Sequence, residues 1–192
     1  MRTEIKCVTD IINLRRHARR MGEADARLHV AHYKHYKSNT QQHTYNAARH
    51  DFRVRYLDDL RCDVEKLQLK NLYDAAYVYL MQQTDKQVYA AFCEQCDLPL
   101  NHADDMRGYL IYDWQLVKQL QRAQDFAIDA AHAAWEGDRP VAALTRWKEN
   151  TVDLSHRDDY AKATYLRAFK ETYDWRMRTL KRRLDDQRAL AK

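Results

Sequence analysis

Three glycines and two prolines in 192 residues leave this chain little with which to build turns. Hairpins and bulges lean on those residues, so a strand-rich fold is excluded and long helices are expected. β-Branched residues are also sparse, while Ala, Leu, Arg, Lys, Gln and Asp abound, a balance that favours helix. No apolar run approaches the ~20 residues of a membrane-spanning helix, so no membrane partner is expected. The start, MRTEIKCVTDIINLRRHARR, lacks an apolar stretch and a small-residue cleavage site, so a cytoplasmic protein is expected. Cys7, Cys62, Cys93 and Cys96 are then read as reduced thiols. Scattered glycines cannot build a phosphate-cradling loop, and neither G-x-x-x-x-G-K-[ST] nor G-x-S-x-G occurs.

What is present is charge, unevenly laid out. Residues 1–57 carry 12 Lys and Arg against 5 Asp and Glu, a net +7. Residues 58–156 carry 10 against 17, a net −7, and residues 157–192 carry 11 against 6, a net +5. Two readings compete. Basic helices can pack beside acidic ones, steering assembly. Alternatively, the basic ends present positive surface to nucleic acid or another acidic partner.

Apolar periodicity predicts an all-α fold. The expected architecture is an elongated bundle of three long helices, 39–82, 102–136 and 156–191, with shorter helices (3–20, 23–37, 85–96, 139–153) packed at its ends. One helical domain spans 1–192, with 1–37 as an N-terminal appendage and 176–192 as a projecting tail. Gly22 is read as a break. Ser38 with Gln41, Thr84 with Gln87, and Ser155 with Asp158 are read as helix starts, and Asn101 and Asp138 as caps, the latter ahead of Pro140. Leu57, Leu60, Val64 and Leu67 form an expected core seam, which passes to Leu69, Leu72, Ala76, Tyr79 and Leu80 with a phase shift near Gln68, where the long helix can bend or break. Tyr109, Tyr112, Leu116, Leu120, Ala123, Ala127, Ala130 and Ala134 form another. Leu166, Phe169, Tyr173, Met177, Leu180 and Leu184 form a third, along which the last helix can pair with a copy of itself.

The densest chemistry lies in 28–57, LHVAHYKHYKSNTQQHTYNAARHDFRVRYL, with five of the nine histidines. His29, His32 and His35 are spaced for at most a pair on one helix face, and HExxH and ExxH are absent, so no metal is assigned. Cys93-xx-Cys96 followed by His102 has zinc-like spacing but lacks a fourth ligand, and two small buried helix residues explain it as well. Asp129-xx-His132 stands alone on its helix. His50-Asp51 matches the doublet of the all-helical HD phosphohydrolases, but a single doublet without their other ligands arises by chance and assigns nothing. No constellation has complete catalytic geometry, so no enzyme and no cofactor are expected.

Cations remain. Arg15, Arg16, Arg19 and Arg20 form i, i+4 pairs in a basic stripe, which a position at a helix C-terminus would also explain through the helix dipole. Lys34, Lys37, Arg49, Arg53 and Arg55 follow, and Arg182 and Arg183 sit near the far end. These residues are the expected nucleic-acid contacts, with Tyr33, Tyr36, Tyr45 and Tyr56 available to stack on bases. A strict three-four extension of the Leu57 seam would bury Arg53, His50, Asn46 and His43. The run Tyr45, Ala48, Phe52, Tyr56, Leu60 lies nearer the 3.6 period and turns His43 and His50 outward. Exposed histidines should then strengthen polyanion binding below about pH 6.5. The expected function is nucleic-acid or nucleoprotein binding without catalysis. The alternative is a protein-interaction factor: an adaptor, assembly factor or inhibitor of a larger complex.

Overall fold

A computed structural model describes residues 7–36, 40–137 and 159–190. All the regular structure among them is helical. The helices are α1 (Val8–Tyr36), α2 (Gln41–Phe52), α3 (Asp63–Thr84), α4 (Lys86–Cys96), α5 (His102–Trp135) and α6 (Asp159–Leu190). A π-helical turn, Arg53–Leu57, follows α2 directly. The expected helix 139–153, the Ser38, Asp138, Pro140 and Ser155 signals, and Lys37 lie outside the described residues.

The chain forms two compact units, Met1–Trp114 and Gln115–Lys192. In the first, α1 packs most extensively on α3. Gly22 does not end a helix. It lies buried inside the 29-residue α1, where a Cβ would collide with the Tyr73 carbonyl oxygen and come within 3.1 Å of the Ala76 Cβ. Glycine here permits close approach of two helices, so its cost in helix propensity is offset by packing. The arginine stripe therefore sits mid-helix, and the dipole explanation for it fails.

The expected helix 39–82 is divided. Asp58 N–H donates to the Arg53 carbonyl at 3.0 Å, and Leu60 N–H to the Leu57 carbonyl at 3.0 Å. The chain then turns extended at Cys62 before α3 starts with Asp63 and Glu65 in its first turn. Acids suit a helix N-terminus, and this signal lay hidden inside an apparently continuous apolar seam. With the phase broken, Leu57 and Leu60 are buried while Val64 is 49 % and Leu67 55 % exposed. The buried face of α3 is Leu69, Leu72, Tyr73, Ala76 and Tyr77. Around it lie Phe52, whose ring stacks on Tyr73 at 4.3 Å, and Tyr45, which meets Tyr77 at 4.9 Å and Phe92 at 5.2 Å. Tyr45, Ala48, Phe52, Tyr56 and Leu60 all join this core, as the 3.6-period reading requires.

The cap of α4 is Asp85, one residue beyond the expected Thr84. Its carboxylate accepts from Gln87 N–H at 2.9 Å and Val88 N–H at 3.1 Å, while the Thr84 hydroxyl donates to the Leu80 carbonyl. Asp97, in the left-handed region at φ 54°, ends α4 at the expected turn. Gly137, at φ 97°, follows the end of α5.

In the second unit, Leu116, Leu120, Ala123, Ala127 and Ala130 of α5 are buried as expected. On α6 the buried face is Ala161, Thr164, Tyr165, Ala168 and Phe169, with Leu166 exposed. The expected seam fails at its first member only: Tyr165 takes the inward place given to Leu166, while Phe169 is buried and Tyr173, Met177, Leu180 and Leu184 are half-buried in the expected register. Arg182 and Arg183 are exposed near the C-terminus of α6.

Candidate anion-binding site

The second half of α2 and the π turn present Asn46, His50, Arg53 and Leu57 along one side. Opposite them stand Lys70 and Asp74 of α3. With Arg49, Phe52 and Tyr73 they line an open cavity of about 230 Å³. The π turn closes its hydrogen bond five residues back, which keeps Arg53 on the wall while Leu57 turns into the core. Such turns recur at functional sites because they re-aim side chains within a helix.

Asp74 organises the wall. It is buried, and it receives Arg49 Nε at 2.7 Å and Nη2 at 2.9 Å, a two-pronged ion pair that fixes the plane of the guanidinium. The Arg49 guanidinium also lies over the Tyr45 ring at 5.0 Å. Burial opposes the Arg49 charge, but Asp74, Tyr45 and Tyr73 together outweigh it and hold the guanidinium above its usual range. Lys70 Nζ stands 3.8 Å from the second Asp74 oxygen. Arg53 is more exposed, with Nη2 at 3.5 Å from His50 Nδ1 and Nε at 3.7 Å from Asp58. Arg49, Arg53 and Lys70 against Asp74 leave the lining with an excess of cations, which Asp58 beside Arg53 offsets in part.

The other sequence-selected cations divide. Arg15 is 1 % exposed and pairs with Asp113 at 2.7 Å, so it belongs to the interior rather than to a surface. Lys34 pairs with Asp85 at 2.9 Å, Arg19 with Glu23 at 3.0 Å, and Arg55 with Asp51 at 3.9 Å. Arg16 and Arg20 are exposed on α1. Between them on the same helix is His17, whose ring meets Tyr56 at 4.6 Å. That contact sets the Arg16–Arg20 stretch of α1 beside the Arg53–Leu57 turn. Lys70 was missed, because it lies in the acidic middle of the chain and only the fold carries it to the basic side.

Three of the four tyrosines considered as base platforms turn inward, and the Tyr36 side chain lies outside the described residues. Tyr33, Tyr45 and Tyr56 pack on the core. His29 is buried, with Nδ1 2.5 Å from the Tyr77 hydroxyl. Burial, and then nearby His32, lower its pKa from 6.5 to about 4. His43 and His50 are exposed. Cys93 is buried, and burial followed by Cys93 raises the Cys96 thiol above its usual range. His132 Nε2 accepts from Arg176 at 3.0 Å. Among the described residues no group of three His, Cys, Asp or Glu side chains is arranged to hold a metal. No protein-family model matches the chain, and no curated protein or solved structure does either.

Proposed function

We propose that this chain is a non-enzymatic, cytoplasmic helical protein that binds nucleic acid or a nucleoprotein through basic surfaces near both termini. One observation carries the reading. The His17–Tyr56 contact, at 4.6 Å, joins two cation groups separate in sequence, Arg16 with Arg20 and Arg53 with Arg55. A cluster of this kind neutralises successive phosphates and releases their counterions, whereas a single surface cation does little. Arg182 and Arg183 of α6 supply a second basic region, on a helix that can also pair with its own copy. With Tyr33, Tyr45 and Tyr56 packed inward, binding relies on phosphate rather than base and shows little sequence preference.

The test is a titration with single-stranded oligonucleotide at several salt concentrations. Each phosphate neutralised contributes about −0.7 to the log–log slope. Replacing Arg16 and Arg20 together with Gln should weaken binding and flatten that slope by about one to one and a half. No binding at low salt sinks the reading, and an unaltered slope removes α1 from the interface.

A second reading, a protein-interaction factor, draws on α5. Ile111 and Trp114 are 47 % and 56 % exposed on this helix, and exposed aliphatic and indole surface suits a protein partner. Its mark would be a co-purifying protein lost on Trp114→Ser in a chain that binds no oligonucleotide.

A further inference from the structure

We infer that the cavity between α2 and α3 receives the terminal phosphate of a nucleic-acid strand, an inference that rests on the reading above. The wall brings an oriented guanidinium, a second guanidinium, an ammonium and an imidazole around one space. Arg49 spends only two of its five N–H groups on Asp74, so three remain, held in a fixed plane by that pair. A preset fork of this kind loses little freedom when it meets a phosphate oxygen. Asp74 therefore acts as a positioning residue, and the lining keeps an excess of cations, although Asp58 beside Arg53 offsets part of it. An excess of positive charge suits a terminal phosphomonoester, which carries about −1.5 to −2 near neutral pH, better than the singly charged diester inside a strand.

Shape points the same way. The cavity holds about 230 Å³, room for several waters at ~30 Å³ each. Phe52 and Tyr73, whose rings stack, form the apolar part of its lining, beside the cations. Arg53 and Arg55 lie on the turn beside the cavity, and α1 brings Arg16 and Arg20 to the same turn, where the rest of the strand would lie.

The experiment compares one single-stranded oligonucleotide carrying a 5′-phosphate with the same strand carrying a 5′-hydroxyl, by fluorescence anisotropy at fixed salt. The phosphorylated form should bind about tenfold more tightly, the scale of added charge-assisted hydrogen bonds. Lys70→Gln should shrink that ratio toward one, weakening the phosphorylated form by more than the hydroxyl form. Lys70 is half exposed, so its replacement leaves the fold intact, which circular dichroism checks. Equal binding of the two forms by the native chain overturns the inference and leaves the broader reading standing. Binding of neither form overturns both. A preference that survives Lys70→Gln and Arg53→Gln unchanged places the terminal phosphate elsewhere and overturns the assignment. Tighter binding of a phosphoserine peptide than of the phosphorylated strand overturns it in favour of a protein ligand.

Discussion

Gly22 and Gly108 both sit inside helices, yet their surroundings set opposite expectations for one substitution. Alanine gains about 1 kcal/mol of helix propensity over glycine in either place. At Gly22 the new methyl meets the Tyr73 backbone, which cannot yield without shifting α3. Overpacking of this kind costs about 1–3 kcal/mol, so Gly22→Ala should lower stability despite the propensity gain. At Gly108 nothing lies within 4 Å, and Gly108→Ala should raise stability by about 0.5–1 kcal/mol. Urea midpoints of the two variants check both signs. His29 supplies a pH dependence. Its folded pKa of about 4 lies below the unfolded 6.5, so the unfolded chain binds the extra proton. The stabilisation from keeping this ring neutral is full above pH 6.5 and is lost as pH falls toward 4, up to roughly 3 kcal/mol. His29→Gln should flatten the loss of stability between pH 7 and 4.5. An unchanged pH profile would assign acid sensitivity to the carboxylates instead.

At the scale of elements, boundaries were legible where a residue does one job and obscure where it does two. Asp97 and Gly137 end their helices in left-handed geometry, which Gly and short polar residues tolerate. Thr84 and Asp85 are both good cap types, and geometry chose the second. Asp85 also holds Lys34 at 2.9 Å, tying α1 to the start of α4. That hydrogen bond to Lys34, then the Val88 and Gln87 amides, hold its carboxyl below the usual range. Asp85→Ala should cost about 1 kcal/mol at neutral pH through the lost cap, whereas Asp85→Asn, which keeps an acceptor, should recover most of it. The difference from native should narrow as pH falls below the ordinary carboxylate range, because protonation weakens the native cap. Thermal unfolding at pH 7 and pH 3 reads both effects. Periodicity showed a phase shift in 39–82 but put it near Gln68 and not at 58–62, because Leu57 and Leu60 end one buried face just where Val64 and Leu67 mimic its continuation.

At the scale of the whole molecule, the opposing charge blocks are partly consumed within the first unit. Arg15, Lys34 and Arg49 of the basic start pair with Asp113, Asp85 and Asp74 of the acidic middle. Arg15–Asp113 is the most enclosed of these pairs, and in such a place an unpartnered charge would be costly. The candidate site shows the same division of labour. The three-four stripe of Asn46, His50 and Arg53, which would have been a buried polar row in a continuous helix, lines the mouth of a cavity.

Composition and periodicity alone determined the helical class, the buried face of α2 and the inward side of α5 from Leu116 to Ala130, though not at Tyr109, which is 44 % exposed, because a helix's apolar repeat depends only on its own residues. They also determined that His43 and His50 face outward. Only the tertiary structure decided which cations are spent inside, which partner α1 needs at Gly22, and that Lys70 stands opposite Arg53. Those outcomes depend on pairs of residues far apart in the chain, and such pairing leaves no period in the sequence to read.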